Sequence, residues 1–460
     1  MILENTKQSF MSNDIRIRKG AQLKLRGQAE KILNVAQPSA TYALQPDDFF
    51  TTTPKLAVRE GDQVAQGTPI FFDKKDPRIQ FVSPVSGTVQ AVVRGAKRKI
   101  FKVVIIAEGE RQEKHDASPE NRNSRDQIVS LMLAAGCWPF IKQRPYDVVA
   151  NPDDTPNAIL ISTYATAPLD VDYEFLLKNN KSEFQAGIDI LSKLTQGPLY
   201  LTYDNSFGGF FTGIQNVQGI SVKGPHPAGN PSVQIQRLCP INSGDRVWVV
   251  GPEDVVNIGR FFETGVFSAQ RTVAFAGTSV AAPQYFQTQI GAEIAPLMKV
   301  AQADTDRPVR IINGNVLTGV ATDHEGHIGF YNNLVSIIPE GNHYRMFGWL
   351  PFVGNNIPSL SNTSLSWLFG KRGFEVDTNL NGEERALVVT GEMEKVFPMD
   401  IYPMQLLKAC MIEDIEKMEA LGIYEVVSED FGLIDYANTS KIEAQEIIRQ
   451  GIELMIKEVG

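Results

Sequence analysis

The sequence predicts a multidomain α/β protein: a β-rich unit near the N-terminus, a layered α/β region in the middle and a helical C-terminal end. Three observations carry this prediction. Residues 57–106 hold two similar phrases of short apolar strands joined by Gly-containing turns. Strand-like and helix-like segments alternate from Ala158 to Ala276. Apolar stripes at helical spacing, Leu407 to Met418 and Ile448 to Val459, close the chain.

The β-rich unit reads V-x-E-G-D-x-V-x-x-G from Val58 to Gly67, then an apolar strand at Ile70–Phe72, then S-P-V-S-G-T-V from Ser83 to Val89. Each Gly-Asp or Ser-Gly pair supplies a turn, where positive φ or a side-chain-to-backbone bond is needed. This pattern predicts a barrel-sandwich hybrid of the biotinyl/lipoyl-like kind over residues 14–108. A carrier domain places its modified lysine at the hairpin tip. Here that tip reads Asp73-Lys74-Lys75-Asp76-Pro77, a charged turn stopped by proline, so a solvated turn is the reading favoured over a cofactor arm on Lys74 or Lys75.

A polar linker, Glu108 to Asp126, leads into the middle region. Ala158–Ile161 and Leu199–Leu201 read as buried strands, with Phe184, Ile188, Leu191 and Leu194 between them at helical spacing. Arg246–Val250 reads as a further strand; Gly251 breaks it and Pro252 opens a helix to Thr264, where its missing N–H costs nothing. Thr272–Ala276 begins a stretch of short strands to about Val320, with a helix expected near Pro283–Ile290. Near the end, one helix is expected through Leu407, Met411, Ile415 and Met418 to Gly422. A last one is expected to open on a capping box, Ser440-x-x-Glu443, and to bury Ile448, Ile452, Met455 and Val459.

Composition excludes several classes of function. The 460 residues carry a net charge of −9, which argues against nucleic acid as a partner. Local basic segments stand out all the same, at residues 16–31 and 94–102; Arg16, Arg18, Lys97 and Arg98 are candidates for docking on an acidic or anionic face. The chain opens without a signal-peptide core, and no apolar run is long enough to span a bilayer. Cys137, Cys239 and Cys410 are scattered, without C-x-x-C, so zinc and cysteine-ligated iron–sulfur clusters lack ligands. The H-E-G-H at His324–His327 is read as a turn, and the Gly-rich run Gly208–Gly213 lacks dinucleotide spacing. Two aromatic segments suit an apolar ring: Phe49 and Phe50, and the group Trp138, Phe140, Arg144 and Tyr146. Both have ordinary packing as the alternative.

The ordered set of phrases resembles the NqrA family, which forms one of the subunits of the sodium-translocating NADH:quinone reductase. It comprises V-R-E-G-D-x-V, D-K-K-x-P, S-P-x-S-G-x-V and R-G-A-K-R (Arg94 to Arg98), then W-P-x-x-x-x-R-P (Trp138 to Pro145) and G-P-H-P-A-G (Gly224 to Gly229). It continues with A-G-x-x-V-x-x-P (Ala276 to Pro283), I-G-A (Ile290 to Ala292), N-G-N-V-L-T-G (Asn313 to Gly319), F-G-W (Phe347 to Trp349) and F-P-M-D-I-Y-P (Phe397 to Pro403).

The resemblance implies a tail at 1–13, the hybrid domain at 14–108, an α/β domain at 127–266 and a β-grasp domain at 267–320. A mixed return segment at 321–400 and a helical C-terminal domain at 401–460 complete the order. It also implies a peripheral subunit on the cytoplasmic face of the bacterial inner membrane, in a respiratory sodium pump that oxidises NADH and reduces ubiquinone or menaquinone. The partners implied are five other subunits, chiefly a membrane subunit, with quinone and the membrane surface. FMN, FAD, riboflavin and Fe-S centres are expected on those partners and none on this chain. Relatives often carry C-x-x-x-C-P-G after their E-E-D-L segment; here Gly432–Ser440 contains no cysteine. The alternatives are a pure scaffold subunit, or an Rnf-type electron-transport subunit, which predicts cluster motifs and a flavin loop that are missing here.

Overall fold

The computed structural model describes residues 14–204, 209–304, 306–341, 358–360, 366, 368 and 373–460. The tail at 1–13 and the F-G-W phrase lie outside these residues. Two short strands come first, β1 (Asp14–Arg16) and β2 (Leu33–Val35), and each joins a sheet formed mainly by later sequence.

The hybrid unit follows: β3 (Thr41–Leu44), β4 (Pro54–Leu56), β5 (Gln63–Val64), β6 (Pro69–Asp73), β7 (Gln80–Val82), β8 (Gly87–Arg94) and β9 (Ile100–Ala107). These form two antiparallel sheets, β3-β9-β8-β5 and β4-β6-β7, which enclose Val64, Ile70, Phe71, Phe81, Val89, Val103 and Ile105. Gly87 is required by contact as well as by its turn: a Cβ there would lie 1.9 Å from the Ile106 carbonyl oxygen. Lys74 and Lys75 lie exposed between β6 and β7, where the Asp73 carboxylate accepts from the Thr53 and Lys75 N–H groups.

The middle region is α1 (Arg125–Ala134), β10 (Ile141–Arg144), β11 (Val148–Val149), β12 (Ala158–Ser162), α2 (Tyr173–Leu177), α3 (Lys181–Leu191) and β13 (Leu199–Tyr203). It continues through β14 (Gln218–Lys223), α4 (Pro231–Leu238), β15 (Val247–Val250) and α5 (Pro252–Thr264). The seven-stranded sheet runs β1-β14-β13-β12-β15-β10-β11. β1, β14, β13, β12 and β15 are mutually parallel; β10 is antiparallel to β15, and β11 to β10. Side chains alternate between two cores. Ile159, Ile161, Leu199, Leu201, Trp248 and Val250 face one, shared with α3, α5 and the hybrid unit. Ala158, Leu160, Tyr200 and Val247 face the other, shared with the C-terminal helices. Both faces are covered, which is why these strands read as continuous apolar runs.

A second, six-stranded mixed sheet has the order β19-β18-β20-β16-β17-β2, from β16 (Gln270–Ala276), β17 (Gln284–Gln289), β18 (Val309–Asn313), β19 (Val320–Thr322) and β20 (Leu334–Pro339), with α6 (Ile294–Val300) beside them. The helix expected near Pro283–Ile290 is therefore corrected to strand. Gln284–Gln289 pairs antiparallel with β16, and its aromatic Tyr285 and Phe286 are both buried, one toward each face.

The last elements are α7 (Glu392–Val396), α8 (Pro403–Met411), α9 (Ile415–Ala420), α10 (Gly432–Ala437) and α11 (Ala444–Glu458). The single helix expected over Leu407–Met418 is corrected to two. Glu413 takes φ +57° between them, Asp414 caps α9 through the Lys417 N–H, and Met411 is 56% exposed. The capping box is corrected too: Glu443 occupies the cap position of α11 without a side-chain bond, and the Ser440 hydroxyl donates to the Ala386 carbonyl. Ile448, Ile452 and Met455 are buried, but Val459 is 46% exposed because the helix ends one residue before it.

Candidate functional site

The strand order locates a crevice. From β12 the chain moves outward on one side through β13 and β14, then returns to place β15 on the other side of β12. The strand order thus reverses between β12 and β15, and a cleft opens at their carboxyl ends. A cavity of about 220 Å³ lies there, lined by Ser162, Tyr164, Thr166, Asp170, Tyr173 and His226, among others. The starts of α4 and α5, Asn315 and Thr318 from the loop between Asn313 and Val320, and Glu429 from the C-terminal region complete it. Three parts of the fold therefore contribute walls to one cavity.

Much of its polar lining is bonded within the protein. The Ser162 hydroxyl donates to the Gly229 carbonyl (3.1 Å) and accepts from the Gln234 amide (3.0 Å). The Tyr164 hydroxyl donates to the Gly224 carbonyl (2.9 Å) and accepts from the Gly224 N–H. Thr166 Oγ1 accepts from the Gly229 N–H and lies 3.2 Å from His226 Nδ1. The Asn230 amide donates to Asp430 (3.2 Å), and the Asn315 amide to Thr318 (2.8 Å). Burial pushes the His226 imidazole down to about 4, so it is neutral at physiological pH. Burial also pushes Asp170 up to about 6, against the N–H bond that Val171 gives it.

Glu429 links the crevice to the segment that the sequence singled out. Arg144 Nη2 donates to Glu429 Oε1 at 3.0 Å, and Nη1 donates to Asp147, which also accepts from Lys142 Nζ (3.2 Å). Burial raises Glu429 to about 7, although Arg144 opposes the rise. Burial acts on Asp147 too, but Arg144 and Lys142 outweigh it and hold that carboxyl below the usual range. The Lys142 ammonium sits 4.4 Å from the Tyr331 ring centre.

The aromatic candidates are not gathered in one place. Phe49 and Phe140 meet through Phe330, at ring distances of 4.9 and 5.3 Å, and Tyr331 donates to the Pro139 carbonyl beside them. This cluster fills the junction of the hybrid unit, the α/β sheet and the second sheet. Trp138 stands edge-on to Trp248 and donates to the Ala150 carbonyl. Phe49, Trp138 and Phe140 are at most 2% exposed, so they present no open face to a ring in this conformation. Tyr146 packs beside Tyr424, and Phe50 lies under the Arg449 guanidinium at 5.1 Å. Arg16 is exposed on the edge strand β1, far in topology from Lys97 and Arg98 at the β8–β9 turn.

Among the described residues no group of three His, Cys, Asp or Glu side chains is placed to hold a metal. His327 is buried against Thr41, 3.1 Å from its hydroxyl. Sequence reasoning missed the crevice because its walls are strand ends and turns that no spacing rule connects. The available signals were the residues after each strand, Thr163–Thr166 and Gly251-Pro252, together with Gly224–Gly229.

Family models match three consecutive parts of the chain: the NqrA N-terminal barrel-sandwich hybrid domain over residues 15–108, the NqrA second alpha/beta domain over 123–267, and the NQRA C-terminal domain over 272–323. The NqrA subunit of the Na(+)-translocating NADH-quinone reductase from Rhodopirellula baltica is 34% identical over 96% of this chain and 98% of its own length. The protein of the same name from Pasteurella multocida is also 34% identical, over 96% of this chain and all of its own length. Matching hybrid, α/β and C-terminal domain models in order, with relatives aligned nearly end to end, show that the chain belongs to the NqrA family of Na(+)-translocating NADH-quinone reductase subunits.

Proposed function

We propose that this chain is a peripheral subunit on the cytoplasmic face of the inner membrane, without a redox centre of its own, that supports assembly of the sodium pump and shapes its quinone site. NADH oxidation and electron transfer then belong to flavins and iron–sulfur centres on the five partner subunits. Among the described residues no helix is long and apolar enough to cross a membrane, which supports peripheral placement. The mixed sheet with α6 is read as the β-grasp unit, and α8 to α11 as the helical C-terminal domain.

The observation that carries the quinone part is the connection through Arg144. Its guanidinium holds Glu429 at the rim of the crevice, where a ring carbonyl would find hydrogen-bonding groups and the Tyr164 and Tyr173 rings. Phe50 is the more accessible aromatic candidate, whereas Phe49, Trp138 and Phe140 act by fixing the junction behind Arg144, and the buried Tyr146 packs against Tyr424. A second reading, a scaffold without quinone contact, draws support from the internal satisfaction of the Ser162, Tyr164 and Thr166 hydroxyls. Quinone titration of the complex with and without this chain tests the choice. Weaker apparent quinone affinity without the chain supports the quinone role, and unchanged affinity establishes the scaffold.

A further inference from the structure

The β8–β9 hairpin ends in a tip of concentrated positive charge. Residues 94–102 carry Arg94, Lys97, Arg98, Lys99 and Lys102 and no acidic residue, in a chain whose net charge is −9. Lys97 and Arg98, both exposed, take φ of +54° and +63°. Long side chains rarely adopt that region, which the tight turn between β8 and β9 imposes on both of them. The turn is closed by the Gly95 N–H donating to the Lys99 carbonyl and by Arg94 donating to the Arg98 carbonyl.

An aromatic ring sits within this charge. Phe101 is 45% exposed. It lies over Gly95, where a Cβ would come within 2.2 Å of its ring. Lys99 pairs with Asp47 at 2.8 Å, and Lys102 donates to the Glu325 carbonyl. Lys97 and Arg98 have no ion-pair partner among the described residues. Two exposed cations without ion pairs, beside a half-exposed Phe, suit a diffuse anionic field with an apolar layer beneath it. A set of fixed carboxylates on a protein would instead be met by cations held in defined geometry. The rest of the chain is net negative despite the basic segment at 16–31, so an anionic surface favours orientations that present a basic segment to it.

We infer that the β8–β9 tip is a contact site for anionic phospholipid headgroups, with Phe101 as its apolar anchor and Lys97 and Arg98 as its principal cations. This rests on the membrane setting of the proposed role. Its test uses lipid alone, however, so failure here leaves the assembly and quinone readings standing, and failure of the quinone titration leaves this one standing.

The test is flotation of the full chain with vesicles of phosphatidylglycerol mixed with phosphatidylcholine, against phosphatidylcholine alone. Binding only to the anionic vesicles, weakened by added salt, is the expected result. K97Q/R98Q should bind roughly 30-fold more weakly, from two lost charges near the surface. F101S should bind less at low and high salt alike. R16Q/R18Q, equally basic but on the β1 edge, should bind as the parent does. Unchanged melting temperatures confirm that these surface variants fold. The inference is overturned if the parent ignores anionic vesicles, which assigns the tip to an acidic protein partner, or if K97Q/R98Q binds as the parent does.

Discussion

Replacing Arg144 by methionine tests the link between the α/β sheet and the C-terminal region. Arg144 is 2% exposed on β10, and its two terminal nitrogens reach Asp147 and Glu429. Methionine fills most of the volume but leaves Asp147, Glu429 and Asp430 facing one another. Breaking a buried pair in this way costs about 3–5 kcal/mol. Glu429 is 38% exposed through the crevice, and Lys142 still holds Asp147, so water and the lysine reduce the loss to about 2–4 kcal/mol. The deficit should depend on pH. A carboxyl whose folded pKa is raised contributes stability that is present below its unfolded value and lost as pH rises through the folded value. For Glu429 that window runs from the ordinary glutamate range up to about 7, and removing Arg144 extends it upward. Urea unfolding followed by tryptophan fluorescence should therefore show a deficit at about pH 5, from the Asp147 pair, that grows by up to about 1.4 kcal/mol by about pH 8 as the parent's Glu429 ionises and the variant's does not. An equal deficit at both pH values, or none at either, would refute this account of Arg144.

Two further substitutions probe the packing that positions the site. At Gly259 of α5, an added Cβ would lie 1.9 Å from the Glu183 carbonyl oxygen of α3. G259A should lower unfolding free energy by about 1–3 kcal/mol despite alanine's better helix propensity, and a neutral result in chemical denaturation would show that the helices can part. Arg271 is 1% exposed, lies 2.7 Å from Asp254, and donates to the Phe330 carbonyl. R271L should cost about 3–5 kcal/mol by stranding Asp254 and Glu253, and adding D254N should recover part of it; no recovery in the double variant would refute the charge argument.

How much was legible follows the range of the interactions. The turn signals of residues 57–106 and the buried runs at Ala158–Ile161 and Val247–Val250 are local, and each maps onto a strand. The tandem phrases were specific enough to indicate the family. Gln284–Gln289 failed because a short polar–aromatic run has no period of its own; pairing with β16 made it a strand. The C-terminal helix failed at Glu413, where an αL residue breaks an apolar stripe that spacing alone carries through.

The candidate site divides in the same way. The sequence could single out Phe49, Phe50, Trp138, Phe140, Arg144 and Tyr146 as unusual, because aromatic and cationic types near prolines are visible one residue at a time. Only the tertiary structure separated them into a junction core, a charge tie, a Tyr146 buried against Tyr424 and one half-buried ring, Phe50, since burial depends on neighbours about 100 to 400 positions away in sequence. The sequence by itself determined the hybrid fold's turns, the dominant strands and the family. The crevice, whose walls include Ser162, Gly251, Asn315 and Glu429, was decided by the reversal of strand order at β12 and β15, which brings distant segments to one cleft.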